Sequence, residues 1–169
     1  MRYTLQTAAV VALSAWVGTG LLDRDSVAGP EGPGADKPAD HREPLLDGLG
    51  DYRRDVTTAS ADAQRYFNQG LNLLFAFNHD EAARSFRQAA ALDPSCAMAW
   101  WGIAYSAGPN YNKQWKAFDP DDLERSLGLA FDATHRALAL LDRASPVEQA
   151  LIRPLAERYP SKDPAEVTP

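Results

Sequence analysis

The sequence repeats at an interval that suits stacked helices. Tyr66 and Trp100 stand 34 residues apart, and small and aromatic residues fall at fixed offsets between them. Gly70 follows Tyr66 by one helical turn, Ala82 and Phe86 keep an Ala-x3-Phe spacing, Ala89 comes next, and Pro94 closes the unit before Trp100. A period of this length belongs to a helix–turn–helix unit that cannot bury its apolar face alone and is completed by its neighbours. Strands would show alternation with period two, and no stretch of the chain does so.

The local signals agree with this frame. Ser60 is an N-cap candidate with Asp62 in the first turn, and Tyr66, Phe67, Gly70, Leu71, Leu73, Leu74 and Phe77 follow at three- and four-residue spacing. Asn78, His79 and Asp80 make a polar break. A second helix is expected over 80–92, with Ala82, Ala83, Phe86, Ala89 and Ala90 inward, stopped by Asp93-Pro94. A third runs over 96–107 to Gly108-Pro109. Tyr111, Trp115 and Phe118 stud the loop that follows and are expected to pack back. Asp119 or Asp121 caps a fourth helix to about residue 141. Ser145-Pro146-Val147-Glu148 reads as a capping box with proline at the first helical position, starting a fifth helix to about residue 159. The expected fold class is all-α, an antiparallel array of helix hairpins with about five helices over 60–159, followed by an extended or disordered tail over 160–169.

With its motifs at these positions, the chain resembles the tetratricopeptide repeat (TPR) family, with one nearly complete unit over 63–96 defined by Tyr66, Gly70, Ala82, Phe86, Ala89, Pro94 and Trp100. Some positions depart from the family pattern. Gln69 stands where leucine is usual and Leu73 where tyrosine is usual. In the second unit Ile103 fits, but Ala104 replaces glycine, Ala107 replaces tyrosine and Thr134 takes the phenylalanine place. About a dozen extra residues, 108–119, part its two helices. The words YFNQGLNLLFAFNHDEAARSFRQAAALDPSCAMAWWGIAYSAGPNYN, Tyr66 to Asn112, are similar to exported bacterial TPR proteins with further repeats, which implies an N-terminal portion of a longer protein. The resemblance implies a concave face lined by the first helix of each pair. Phe67, Leu71, Trp101 and Tyr105 fall on it as candidate anchors for a protein or peptide partner. Asn68, Asn72 and Asn78 suggest a polar clamp, although solvated helix-surface amides are the favoured reading.

The N-terminal part is of another character. Arg2 precedes an apolar run over 8–22 that suits a secretory signal better than a membrane span, with small residues around Ala28. Residues 1–28 are therefore read as a signal peptide or N-terminal anchor, and the protein as exported to the periplasm or cell envelope. Proline, glycine and acidic residues crowd 29–47, so 29–59 reads as a flexible linker in which Leu45, Leu46 and Leu49 could dock on the folded part. A net charge of −6 argues against nucleic acid as a partner, because phosphate binding needs a basic face. Membrane contact is expected only through an uncleaved anchor.

Chemistry is sparsely encoded. The single cysteine, Cys96, cannot form an internal disulfide, which leaves a buried small residue, a free thiol or an intermolecular bridge. A metal or redox site pairing Cys96 with His79 is an alternative function and requires the two side chains to converge. No zinc-type spacing, Gly-x-Ser-x-Gly elbow or phosphate loop occurs, and Asp121-Asp122 reads as helix-start charge. The expectation is a non-enzymatic module without metal or cofactor. A further alternative is a structural fragment of a longer solenoid, with self-association through an incomplete repeat end.

Overall fold

The computed structural model describes residues 42–167. The signal-like segment, the first part of the linker and the last two residues lie outside the described residues. Within them the chain is all-helical and contains no strand.

Helix α1 (Ala61–Phe75) starts where Ser60 Oγ accepts the Ala63 N–H at 3.1 Å. It ends in a reversed pair of backbone bonds, Asn78 N–H to Leu73 O at 2.9 Å and Phe77 N–H to Leu74 O at 3.1 Å. This end motif places Phe77 at φ +61°, the left-handed position where glycine is usual. Asn78 then caps α2 (His79–Leu92). Helix α3 (Ala97–Ala107) follows the Asp93–Cys96 corner. A loop with a 3₁₀ turn at Trp115–Ala117 leads to α4 (Pro120–Leu138), which Asp119 caps by accepting the Asp122 N–H at 2.9 Å. After a 3₁₀ turn at Leu141–Arg143, α5 (Pro146–Arg158) opens with the reciprocal Ser145–Glu148 capping box. A four-residue α6 (Pro164–Val167) closes the described chain.

The helices form two hairpins, α1 with α2 and α3 with α4. Helix α2 packs on α3, and α5 lies against both α3 and α4. Phe86 is the centre of the first seam. It is fully buried in α2, with Phe67 tilted against it at 5.4 Å between centroids. Its ring fills the space left by two glycines: a Cβ on Gly70 of α1 would lie 2.8 Å from it, and one on Gly102 of α3 would come closer still. One aromatic thus sets the approach of three helices. Leu127, Ala130, Thr134 and Ala137 of α4 and Ile152, Leu155 and Tyr159 at the end of the array are buried with it.

Three expectations are corrected. The fourth helix stops at Leu138, because residues 141–143 tighten into a 3₁₀ turn before the α5 cap. The tail carries α6, with the Asp163 carboxylate accepting the Ala165 N–H at 2.9 Å. Residues 42–59, read as the end of a flexible linker, instead lie along α1 and are bonded to it.

Candidate functional interface on helix α1

The segment 42–59 wraps α1 as a strap with two legs. The first leg runs beside α2. Tyr66 donates its hydroxyl to Glu43 O, and Gln88 accepts the Glu43 N–H at 3.1 Å. Gln69 grips the leg twice, donating to Pro44 O at 3.0 Å and accepting the Leu46 N–H at 2.7 Å. Its amide also donates to Ser85 Oγ at 3.0 Å, so this buried polar side chain is paired on both ends. Leu45 and Leu49 pack on the core. The turn needs φ of +78° at Gly48 and +90° at Gly50, which glycine adopts without a Cβ clash.

The second leg returns along a row of side-chain amides on the opposite flank of α1. Asn72 Nδ2 donates to Tyr52 O at 2.7 Å. Asn68 Oδ1 accepts the Arg54 N–H at 3.2 Å. Gln64 donates to Arg54 O at 2.9 Å and accepts the Val56 N–H at 2.9 Å. Gln64 and Asn68 are also bonded to each other at 3.0 Å, which fixes their orientation.

The registers match for a geometric reason. Gln64, Asn68 and Asn72 are four residues apart, which on a helix is a rise of about 6 Å. Residues 52, 54 and 56 are two apart, and an extended chain advances about 6.7 Å per pair with same-edge polar groups. The row therefore presents donors and acceptors much as the edge of a sheet would, and it reads main chain rather than side chains.

Two buried carboxylates fasten the end of the strap. Glu148 of α5 accepts the Thr57 N–H at 2.7 Å, the Thr57 hydroxyl at 2.6 Å and the Ser145 N–H at 2.7 Å. Asp93 accepts the Thr58 hydroxyl at 2.5 Å, the Ala59 N–H at 3.3 Å, and the Ser95 hydroxyl and N–H at 2.6 and 3.0 Å. Burial pushes both carboxyls upward, but the hydrogen bonds from the strap and from Ser145 or Ser95 outweigh it and hold each below its ordinary value.

The four anchors expected on an open face are not placed alike. Phe67 and Leu71 are buried in the α1–α2 core and face no partner. Trp101 and Tyr105 stack at 5.1 Å, with the Arg158 guanidinium over Tyr105 at 5.4 Å. The Trp101 indole donates to Leu151 O of α5 at 3.2 Å, and Tyr105 stays partly exposed. Asn68 and Asn72 are not solvated amides but belong to the row, while Asn78 is the α2 cap. Tyr66, Gly70, Ala82, Phe86 and Ala89 lie in the core; Trp100 is half-buried with its indole donating to Pro94 O at 3.1 Å. In the loop after α3, Trp115 packs on Tyr159 and Phe118, whereas Tyr111 is 89% exposed. Sequence reasoning missed Gln64 and read Gln69 only as a departure from the repeat; its polar character at a core position was the available signal.

Cys96 and His79 do not converge. They flank the two ends of α2, whose 14 residues span about 20 Å. The Cys96 thiol is fully buried, which pushes its pKa up to about 11 and leaves it protonated and unreactive at neutral pH. Among the described residues no cluster of three or more His, Cys, Asp or Glu could hold a metal ion, and no helix is long and apolar enough to cross a membrane. No family model, curated protein or solved structure matches the chain.

Proposed function

We propose that the chain is a helical-repeat interaction module of TPR type that binds a protein or peptide in extended form. The observation that carries this reading is the amide row of α1, which holds an extended segment through its main chain. A surface able to pair with backbone at three successive points can bind a peptide with little regard to its sequence, and neighbouring pockets supply selectivity. Phe67 and Leu71 are withdrawn from the proposed interface because they are buried. Trp101 and Tyr105 remain as a secondary aromatic contact, Tyr105 being the more accessible.

The alternative of a thiol or metal protein using Cys96 and His79 has nothing in its favour once the length of α2 lies between them. The interaction reading is tested by panning a displayed random-peptide library on the full-length chain. Enrichment of peptides that bind the folded chain and not its heat-denatured form is expected. Absence of any enrichment over a tag-only control would contradict the module reading.

A further inference from the structure

The second leg of the strap is more than a fastening. We propose that residues 52–58 are an intramolecular stand-in for an external ligand. That ligand is an extended peptide with an aromatic residue, main-chain N–H groups two and four positions later, and two adjacent hydroxyl residues after those. This inference rests on the interaction reading above and names the partner chemistry.

Each element of the motif has a receptor on the chain. The aromatic position is Tyr52, which meets Phe75 edge-on at 5.5 Å between centroids; both rings are more than half exposed, and so is the nearby Phe77. The required N–H groups are those of Arg54 and Val56, accepted by Asn68 and Gln64. Proline is excluded at both places because it has no N–H. Val56 is the one side chain of this leg that packs on the core, which favours a branched aliphatic residue there. The hydroxyl pair is Thr57 and Thr58, received by Glu148 and Asp93.

Two observations make the resident segment displaceable. Its hold on α1 is made through main-chain hydrogen bonds that an extended peptide with N–H groups at these two places can reproduce. In addition, the Arg54 Nε is buried without an acceptor, an uncompensated donor that a competing peptide need not carry. The helices beneath keep their own packing, since α1 meets α2 and α3 through Phe86 and its glycines.

The test uses the full-length chain and a fluorescent peptide of residues 51–59. The double variant Arg54→Pro with Val56→Pro removes both N–H groups from the strap. It should bind the peptide at least tenfold tighter than the parent does, and adding Gln64→Ala and Asn68→Ala should remove that gain. A double-proline chain of parental helicity that binds no tighter than the parent overturns the proposal. Should this variant lose its helicity, the parent is used with excess peptide carrying alanine at the Arg54 position. Faster hydrogen exchange at Arg54 and Val56 supports displacement, and unchanged exchange at saturating peptide overturns it. A parent dimer that forms with concentration and vanishes in the double-proline variant would assign the strap to a second copy and overturn the stand-in. Library peptides that bind a chain whose strap never yields would sink this inference and leave the interaction reading intact.

Discussion

Helix α1 is held from its two sides by different chemistry. Its inner side meets α2 and α3 through buried residues such as Phe67, Gly70 and Leu74, with Phe67 and Gly70 closed on Phe86. Its outer flank meets the strap through Gln64, Asn68 and Asn72, whose amides pair with backbone. The inner seam gains from removing area from water and depends on shape. The outer seam exchanges water hydrogen bonds for protein ones, a net gain of only about 1 kcal/mol each. One seam therefore builds the fold, while the other can open without dismantling it.

Breaking the inner seam should have the largest effect. Phe86→Ala leaves a cavity between three helices and should cost about 3–5 kcal/mol, read by chemical denaturation followed by circular dichroism. Gly102→Ala tests the same seam from the opposite direction. The added methyl overlaps the Phe86 ring, and a loss of about 1–3 kcal/mol is expected. At the end of the strap, on α5, Glu148→Gln replaces a carboxylate that accepts three hydrogen bonds, two of them from Thr57, and should cost about 1–3 kcal/mol at pH 7.

The same carboxylate sharpens the comparison through pH. Glu148 and Asp93 are depressed in the folded chain, so their contribution is fully present above the ordinary carboxylate range of about 4. It is lost as pH falls through their lower folded values. The contribution of these two carboxylates should be level between neutral pH and about 5 and fall towards about pH 3, with a shallower fall in that range for Glu148→Gln; equal slopes would remove Glu148 from the latch. His79, whose pKa burial lowers, drains stability separately as pH falls below its ordinary value of about 6.5. The smallest effect belongs to Tyr159→Phe. The Tyr159 hydroxyl is buried against Gly108 without a hydrogen-bond partner. Its removal should leave stability unchanged or raise it by up to about 1 kcal/mol in thermal unfolding.

The inner seam was legible in the sequence because a packing period leaves a trace: Tyr66, Gly70, Ala82, Phe86 and Ala89 recur where neighbouring helices need them. The Ser60 and Ser145–Glu148 caps were visible, and Asp119 was one of two candidates with Asp121, since capping is local chemistry. The strap was hidden because extended main chain bonded to side chains has no periodicity of its own. Its composition, rich in glycine and acidic residues around 47–51, matches that of a linker. Its traces were Leu45 and Leu49, expected to dock and found packed on the core, Gln69 at a position expected to be apolar, and asparagines spaced by one turn on α1. Phe67 and Leu71 were misplaced for a related reason. The family resemblance assigns them to a concave face, but Phe67 packs against Phe86 at the seam that Gly70 and Gly102 leave room for, and Leu71 is buried in the same core.

The claim that the two sides of α1 are separable is tested most directly by hydrogen exchange on the full-length chain. The comparison is between the parent and Gln64→Ala with Asn68→Ala and Asn72→Ala. The Arg54 and Val56 amides should be protected in the parent and exchange almost freely in the variant, while α1, α2 and α3 keep their protection. Loss of protection in all of these together would contradict the account, as would protection of Arg54 and Val56 that survives removal of the amides.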